Sequence, residues 1–481
     1  LVILNFKERT LKFLSPWYWR SLPLENRTGS EVFAKLFLDR HAIATLLESP
    51  LVEREYPSKL ARYSICAGSP RIINGKSQIW TPNIGNILPF LRQLLQQQIT
   101  PSPEIEDLPF TGGWLGWLGY DLAWEIERLP TLNSDPLPFP VAYWYEPSDF
   151  AVLDRQQQIL WLAASIPEEL DRMEERLIQE QRSRGAGEQG AIPCGCPGAG
   201  VVSPVFLTSQ TDYENSVRKA LKYIQAGDIF QTNLSLRFQT QTQADSWSIY
   251  RALQTINPSP FASYWQTPWG AVISCSPERL VQLQGNLAQT RPIAGTRSRG
   301  ATPEGDRQIA SEFMVNFKER AEHIMLVDLE RNDLGRVCQW GSVKVDELLI
   351  IERYSHVMHL VSNAIGKLRP DLDAIDLIRA MFPGGTITGC PKVRCMEIIE
   401  ELEPFRRNLF YGSCGYLDRR GDLDLNILIR TLLYNQPSPN SFATVWGQVG
   451  AGIVADSNPE QEWYESLNKA EAQLAALQLV T

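Results

Sequence analysis

A chain of 481 residues that is 43% hydrophobic and 21% charged is long enough for two or three domains with substantial cores, which excludes disorder as the default. A net charge of -9 argues against nucleic acid or an anionic membrane surface as a partner, while an anionic small ligand stays open where a basic pocket or a divalent cation offsets the field. No stretch is apolar long enough to span a bilayer.

The opening run LVILNFKERTLKFL is broken by Lys7, Glu8 and Arg9, so it lacks a signal-peptide core. Cys66, Cys275, Cys338, Cys390, Cys395 and Cys414 stand apart among apolar or small residues, as reduced thiols of a cytoplasmic protein do. From Leu1 to Ala164 the chain reads as strand-rich and aromatic-rich. The glycines between tryptophans in GGWLGWLGYD, Gly112 to Asp121, predict backbone packed closely on large rings. Val32, Phe33, Leu36 and Phe37 recur at helical spacing behind Ser30, a residue able to cap, and predict a helix over Ser30 to Leu47. Further helices are expected near Asn86 to Gln98 and over Pro167 to Gln181. The Gly/Ala/Pro-rich stretch 183–204 then reads as a linker between an N-terminal domain, 1–182, and a second domain, 205–481. Cys194 and Cys196 within it have no second Cys or His pair to complete a zinc site.

Beyond the linker the pattern predicts a helix over Thr211 to Ala226, a strand over Asp228 to Gln239, one long helix over Ser311 to Asp333 and strands around Val343 to Ile351. Helices follow at Leu372 to Met381 and Pro391 to Leu402, then strands at Gly412 to Leu417, Asp424 to Leu433 and Phe442 to Val449, and a last helix over Pro459 to Leu479. Consecutive strands joined by short turns, with helices between the groups, predict an α+β fold with largely antiparallel sheets.

Several stretches carry possible chemistry. Pro292 to Gly300, PIAGTRSRG, sets Gly295, Thr296, Gly300, Arg297 and Arg299 together, which suits an anionic ligand or a basic surface turn. Glu319 and Glu322, and again Glu462 and Glu465, stand three apart on predicted helices, so each pair shares a face. If the helices converge, the four carboxylates select a hard cation such as Mg²⁺; the same spacing also marks a solvated helix face, and Lys469 fits either view. His356 and His359 are two of only four histidines and suit proton transfer or a structural role. GGTITGCPK has Cys390 where a P-loop needs lysine, and GQVGAG lacks the glycine order of a dinucleotide fingerprint. Both can present backbone N–H groups to a carboxylate, or serve as plain turns.

Taken together, SPERL, PIAGTRSRG, ERAEHIMLVDLERNDLGRV, FPGGTITGCPKVRCMEIIEELEP, YGSCGYL, IRTL and GAGIVADS resemble the chorismate-utilising enzymes, and within them component I of anthranilate synthase and of aminodeoxychorismate synthase. The match runs over nearly all of Gln231 to Lys469 and more weakly over the N-terminal part. The resemblance implies Mg²⁺-dependent attack at ring C2 of chorismate with loss of the C4 hydroxyl. By that likeness Glu278 is the general acid, Glu322 and Glu465 hold Mg²⁺, and Glu319 and Glu462 support it. His359 would stand near the ring, Tyr416, Arg430, Gly450 and Gly452 would hold the enolpyruvyl carboxylate, and Gly295, Thr296, Thr386 and Lys469 would line the site. A hydroxide leaves poorly without an acid, and a dianionic substrate in an acidic protein needs the metal and a cation.

Gln231 stands where isochorismate- and salicylate-forming relatives carry a water-activating lysine, so ammonia is the expected nucleophile. It is expected from a separate glutamine amidotransferase partner. Ala294 in PIAGT replaces the lysine nucleophile that aminodeoxychorismate synthases often carry as PIKGT, which favours direct addition of ammonia and anthranilate as product. Asn233 in QTNLS, FPGGTITG and GSCGYL resemble the aminodeoxychorismate branch instead. NPSPFASY, Asn257 to Tyr264, lacks the Met-Phe of the tryptophan-feedback motif. A non-catalytic chorismate-binding regulatory subunit is a third reading, against which the presence of Glu278, Glu322 and Glu465 speaks.

Overall fold

The computed structural model describes residues 17–50, 59–96, 105, 107–178, 202–353, 357–439 and 441–480. Two large antiparallel sheets dominate the described residues, with helices around them, so the α+β expectation holds. The 12-stranded sheet runs in the order Tyr18–Pro23, Ile159–Ala164, Asp149–Asp154, Tyr63–Ala67, Ala44–Glu48, Phe261–Thr267, Gly270–Ser276, Thr431–Asn435, Ala443–Ile453, Gln231–Thr242, Val205–Phe206, with Gly389–Cys390 off this path on Gln231–Thr242. The 10-stranded sheet runs Ile293–Ser298, Val357–Lys367, Leu287–Arg291, Arg279–Gln284, Leu423–Asn426, Ser413–Asp418, Gly113–Leu118, Ala142–Tyr145, Ile79–Trp80, with Lys344–Arg353 on the outer side of Val357–Lys367. Both sheets take strands from before and after the 183–204 stretch. The joins are Ala44–Glu48 against Phe261–Thr267 in one sheet and Gly113–Leu118 against Ser413–Asp418 in the other.

Aromatic side chains weld the sheets. Trp117 of the 10-stranded sheet meets Trp265 of the 12-stranded sheet edge to face, with ring centroids 5.8 Å apart. Gly116 shows why glycine alternates with tryptophan here: a methyl group at that position would sit 2.4 Å from the Trp144 ring. A second core packs helices such as Gln210–Ala226, Ser246–Ile256 and Pro459–Leu479 on the other face of the 12-stranded sheet. Among the described residues no helix is long and apolar enough to cross a membrane.

Three predicted elements differ in the structure. The helix expected over Ser30 to Leu47 is only Gly29–Leu36, capped not by Ser30 but by Thr28 in a capping box with Glu31. Residues Ala44–Glu48 leave it to form a strand, because both edges find strand partners. The long helix expected over Ser311 to Asp333 is two, Pro303–Val315 and Phe317–Gly335, broken at Asn316, whose extended backbone ends one and whose side chain caps the next by accepting from the Glu319 amide at 3.1 Å. The strand expected over Asp424 to Leu433 divides into Leu423–Asn426 in one sheet and Thr431–Asn435 in the other. The last helix, Pro459–Leu479, has the expected bounds.

Candidate active site

The chain crosses between the two sheets twice at one place. Gly270–Ser276 in the 12-stranded sheet passes through Pro277 and Glu278 into Arg279–Gln284 of the 10-stranded sheet, and Leu423–Asn426 returns through 427–430 into Thr431–Asn435. The crossovers are bonded to each other. The Ile427 amide donates to the Glu278 carbonyl at 3.0 Å, and the Cys275 amide donates to the Arg430 carbonyl at 3.2 Å. Glu278 and Arg430 are therefore fixed relative to one another by backbone.

Glu278 is 5% exposed. Burial pushes its pKa up to about 8; the Thr386 side chain and the Ile293 amide, at 3.4 Å, offset part of this, and the charge of Glu330 adds to it. The group keeps its proton at neutral pH. His359 lies on Val357–Lys367, in register with Thr296 on one side and Glu352 on the other. Its Nδ1 stands 3.3 Å from the Gly295 carbonyl, so that nitrogen is the donor. Burial lowers its pKa to about 4 and keeps the ring neutral. Gly295 makes this approach with φ of +67° at a bulge between Ala294 and Thr296, in a conformation that favours glycine. Ala294 is buried beside it, paired with Leu360.

In the ladder of Ala443–Ile453 on Gln231–Thr242, Gly450 faces Ser235 and Gly452 faces Asn233. A methyl group at Gly450 would lie 2.9 Å from the Tyr411 hydroxyl, and one at Gly452 would lie 2.6 Å from Gln231 Nε2. Lys469 Nζ donates to the Gly450 carbonyl at 2.9 Å and pairs with Glu465 at 2.8 Å. The Arg430 guanidinium donates to the Lys469 carbonyl at 2.5 Å, and desolvation lowers its pKa. Gln231 Oε1 and Asn233 Oδ1 are buried oxygens without a hydrogen-bond partner among the described residues. A half-buried guanidinium and a protonated carboxyl offer donors to an anionic organic ligand, and the unsatisfied amide oxygens offer acceptors to its hydroxyl or to an amine.

A family model for chorismate binding enzymes matches residues 47–475. The chain belongs to the chorismate-binding enzymes. It is 58% identical over 470 residues to an anthranilate synthase component I-like protein of Synechocystis sp., covering 97% of this chain and 93% of that one. It is 42% identical over 480 residues to aminodeoxychorismate synthase component 1 of Bacillus subtilis, covering 96% and 97%. The crystal structure of anthranilate synthase component I from Streptococcus pneumoniae superposes with a TM-score of 0.72 at 30% identity, covering 88% of this chain and 94% of that one. This chorismate-binding enzyme is thus of the anthranilate or aminodeoxychorismate synthase component I type.

Within this chorismate-binding enzyme, Glu278, Ala294, Gly295, Thr386 and His359 form one group and Gln231, Arg430, Gly450, Gly452 and Lys469 another, joined by the bonded crossovers and by the charge of Arg430 acting on His359; the backbone of Thr296 pairs with His359. Tyr416 is the exception. It lies within Ser413–Asp418, its ring edge-on to Phe110 with centroids 5.7 Å apart, in a separate cavity lined also by Phe261, Arg279 and Asp424. Strand alternation turns it away from Arg430, and Tyr411, the first tyrosine of YGSCGYL, takes the position beside Gly450. Its φ of 63° places it outside the strand pattern. Arg297 and Arg299 do not form a free basic turn: Arg297 bonds Glu319, and Arg299 bonds Asp306 at 2.6 Å. His356 lies outside the described residues.

Glu319 and Glu322 stand on Phe317–Gly335, and Glu462 and Glu465 on Pro459–Leu479. Glu319 approaches the Gly295 bulge, since its Oε2 would be 3.7 Å from a methyl group there, and Glu465 reaches the site through Lys469. All four donors are carboxylate oxygens, which fits a hard divalent cation. Among the described residues no three metal-ligating side chains are gathered at one point.

Proposed function

We propose that the chain aminates chorismate with ammonia and releases anthranilate and pyruvate. The observation that carries this reading is the protonated, buried Glu278 at the crossover shared with Arg430. Arg430, the Tyr411 hydroxyl and the strand at Gly450 and Gly452 bind and orient the enolpyruvyl carboxylate. Ammonia adds at C2 as the C4 hydroxyl leaves, and Glu278 supplies the proton that turns hydroxide into water. The added ammonium gives up one proton, the C3–O bond then breaks with loss of the C2 proton, which the neutral His359 is suited to take, and the released enolpyruvate takes a proton at its methylene carbon to become pyruvate. Ala294 offers no nucleophile and Gln231 no base for water, which supports ammonia as the attacking group. Mg²⁺, held by Glu322 and Glu465 with Glu319 and Glu462 behind them, would neutralise the ring carboxylate. Ammonia would come from a glutamine amidotransferase subunit in the cytoplasm, a reading supported by the component names of the relatives.

A second reading, formation of 4-amino-4-deoxychorismate, is favoured by 42% identity to the Bacillus subtilis aminodeoxychorismate synthase component 1 and by Asn233. The test is incubation of the purified chain with chorismate, Mg²⁺ and ammonium. Anthranilate fluorescence that vanishes in Glu278→Gln supports the first reading. Product that yields p-aminobenzoate only after a lyase is added replaces it with the second.

A further inference from the structure

Glu330, on the helix Phe317–Gly335, is a buried carboxyl that the chemistry above leaves without a task. One of its oxygens accepts from the Gly385 amide at 3.2 Å and the other from the Thr290 hydroxyl at 3.2 Å. The same hydroxyl lies 2.8 Å from the carbonyl of Leu280, two residues beyond Glu278. Glu330 therefore ties together the segments that surround the Glu278 side chain. These are the strand Arg279–Gln284 that continues from it, the stretch 290–293 that sends in the Ile293 amide, and the turn Gly385–Ile387 that carries Thr386. A methyl group at Gly385 would fall 2.5 Å from the Leu329 side chain and 3.1 Å from the carboxylate, so glycine lets the turn close onto Glu330.

The charges around the two carboxyls differ. Lys392 faces Glu330 and Asp333, with its Nζ 2.5 Å from Asp333 and 3.1 Å from the Met381 carbonyl. Glu278 has the Thr386 side chain, the Ile293 amide and Glu330 itself. When two buried carboxyls interact, the proton stays on the one with less cationic support.

We infer that Glu330 is a positioning residue for the leaving-group acid: it holds the segments around Glu278 and takes the negative charge that Lys392 stabilises, so that the proton remains on Glu278. This rests on the reading of Glu278 as the acid. Burial raises both carboxyls, and the charge of Lys392 pulls Glu330 back down against Asp333, whereas among the described residues no cation acts on Glu278.

The test is the pH dependence of kcat/KM for chorismate, with ammonium as the nitrogen source, in the wild type, Glu330→Gln and Glu278→Gln. The glutamine keeps an oxygen for Gly385 but carries no charge. Its alkaline limb is expected to move down by about half a pH unit or more, roughly a threefold loss of rate on the alkaline side, with KM little changed and thermal midpoint not lowered. A limb that stays in place overturns the inference. If Glu278→Gln retains turnover, the acid assignment falls and the inference with it; if Glu278→Gln is inactive and the Glu330→Gln limb is unmoved, the inference alone falls. Should Glu330→Gln not accumulate as folded protein, Glu330→Asp takes its place, because it keeps the charge and draws it back one methylene from Gly385 and Thr290. The expected result is a kcat lower by about tenfold or more with the limb retained, as removal of a positioned contact costs; an unchanged kcat overturns the inference.

Discussion

Arg430 donates from its guanidinium to the carbonyl of Lys469 at 2.5 Å, so a crossover between the sheets and the last helix position one half-buried cation between them. A guanidinium can hold that carbonyl and a ligand carboxylate at once through its planar fork of five donors, a geometry that the compact ammonium of lysine does not reproduce. Arg430→Lys is expected to raise KM for chorismate by roughly tenfold to a hundredfold, the worth of one charge-assisted hydrogen bond of about 1.5–3 kcal/mol. Steady-state kinetics check this, and an unchanged KM removes Arg430 from substrate binding.

Glu278 carries a measurable pH signature in stability as well as in rate. An unfolded glutamate titrates near 4.3, whereas burial holds the folded group at about 8. Between those values the folded state keeps a proton that the unfolded state has lost, so stability falls as pH rises through that window. Glu278→Gln removes this loss. Relative to the wild type, the variant is expected to gain on the order of 1–3 kcal/mol between pH 5 and pH 9. Denaturant midpoints at the two pH values measure it, and parallel pH dependences for the two proteins would contradict the buried, protonated state.

What the sequence revealed and what it hid follow from locality. The final helix was legible end to end because its signals are local: Asn458 caps the Glu460 and Gln461 amides, and Pro459 opens the first turn. The break at Asn316 was equally local, an Asn three before Glu319, yet the helical pattern on both sides masked it. The exchange of strands between sheets at 427–430 depends on partners far away in sequence, and Arg430 reaches its place with φ of 51°, which no periodicity announces. The sequence motif points to Tyr416, and Tyr411 is hidden for the same reason. The two stand five residues apart in one motif; Tyr411 is itself left-handed and lies before the strand start while Tyr416 lies within the strand, and only the fold decides which one meets Gly450. Glu330 was invisible as part of the site, since its links to Thr290 and Gly385 span 40 and 55 residues.

His359 titrates in the opposite sense to Glu278. Burial lowers its pKa from 6.5 to about 4. Below 6.5 the unfolded chain takes up a proton that the folded ring refuses, so this residue's contribution to stability is lost as pH falls from about 6.5 toward 4. The ring is expected to remain neutral throughout the working range. In a sample with labelled histidine, assigned by loss of its signal in His359→Gln, the His359 resonances are expected to stay at neutral shifts between pH 8 and pH 5. A midpoint near 6.5 would make the imidazole a cation under mildly acidic conditions and would alter its part in the proton movements.

Two glycines on one strand separate packing from chemistry. A methyl group at Gly450 would lie 2.4 Å from the backbone carbonyl of Leu234 on the neighbouring strand and 2.9 Å from the Tyr411 hydroxyl. The carbonyl belongs to the ladder and cannot yield without parting the strands, and the Gly450 carbonyl also anchors Lys469. At Gly452 the methyl group would meet only the side-chain nitrogen of Gln231, at 2.6 Å, which can swing aside. Gly450→Ala is therefore expected to cost about 2 kcal/mol of stability, in the range for overpacking, and to lower kcat/KM by about tenfold or more. Gly452→Ala is expected to fold with a stability within about 1 kcal/mol of the wild type and to lose activity through the displaced Gln231. Thermal melts and kinetics of both variants decide the matter, and equal melting temperatures would show that the strand pair gives way at Gly450 as easily as a side chain does at Gly452.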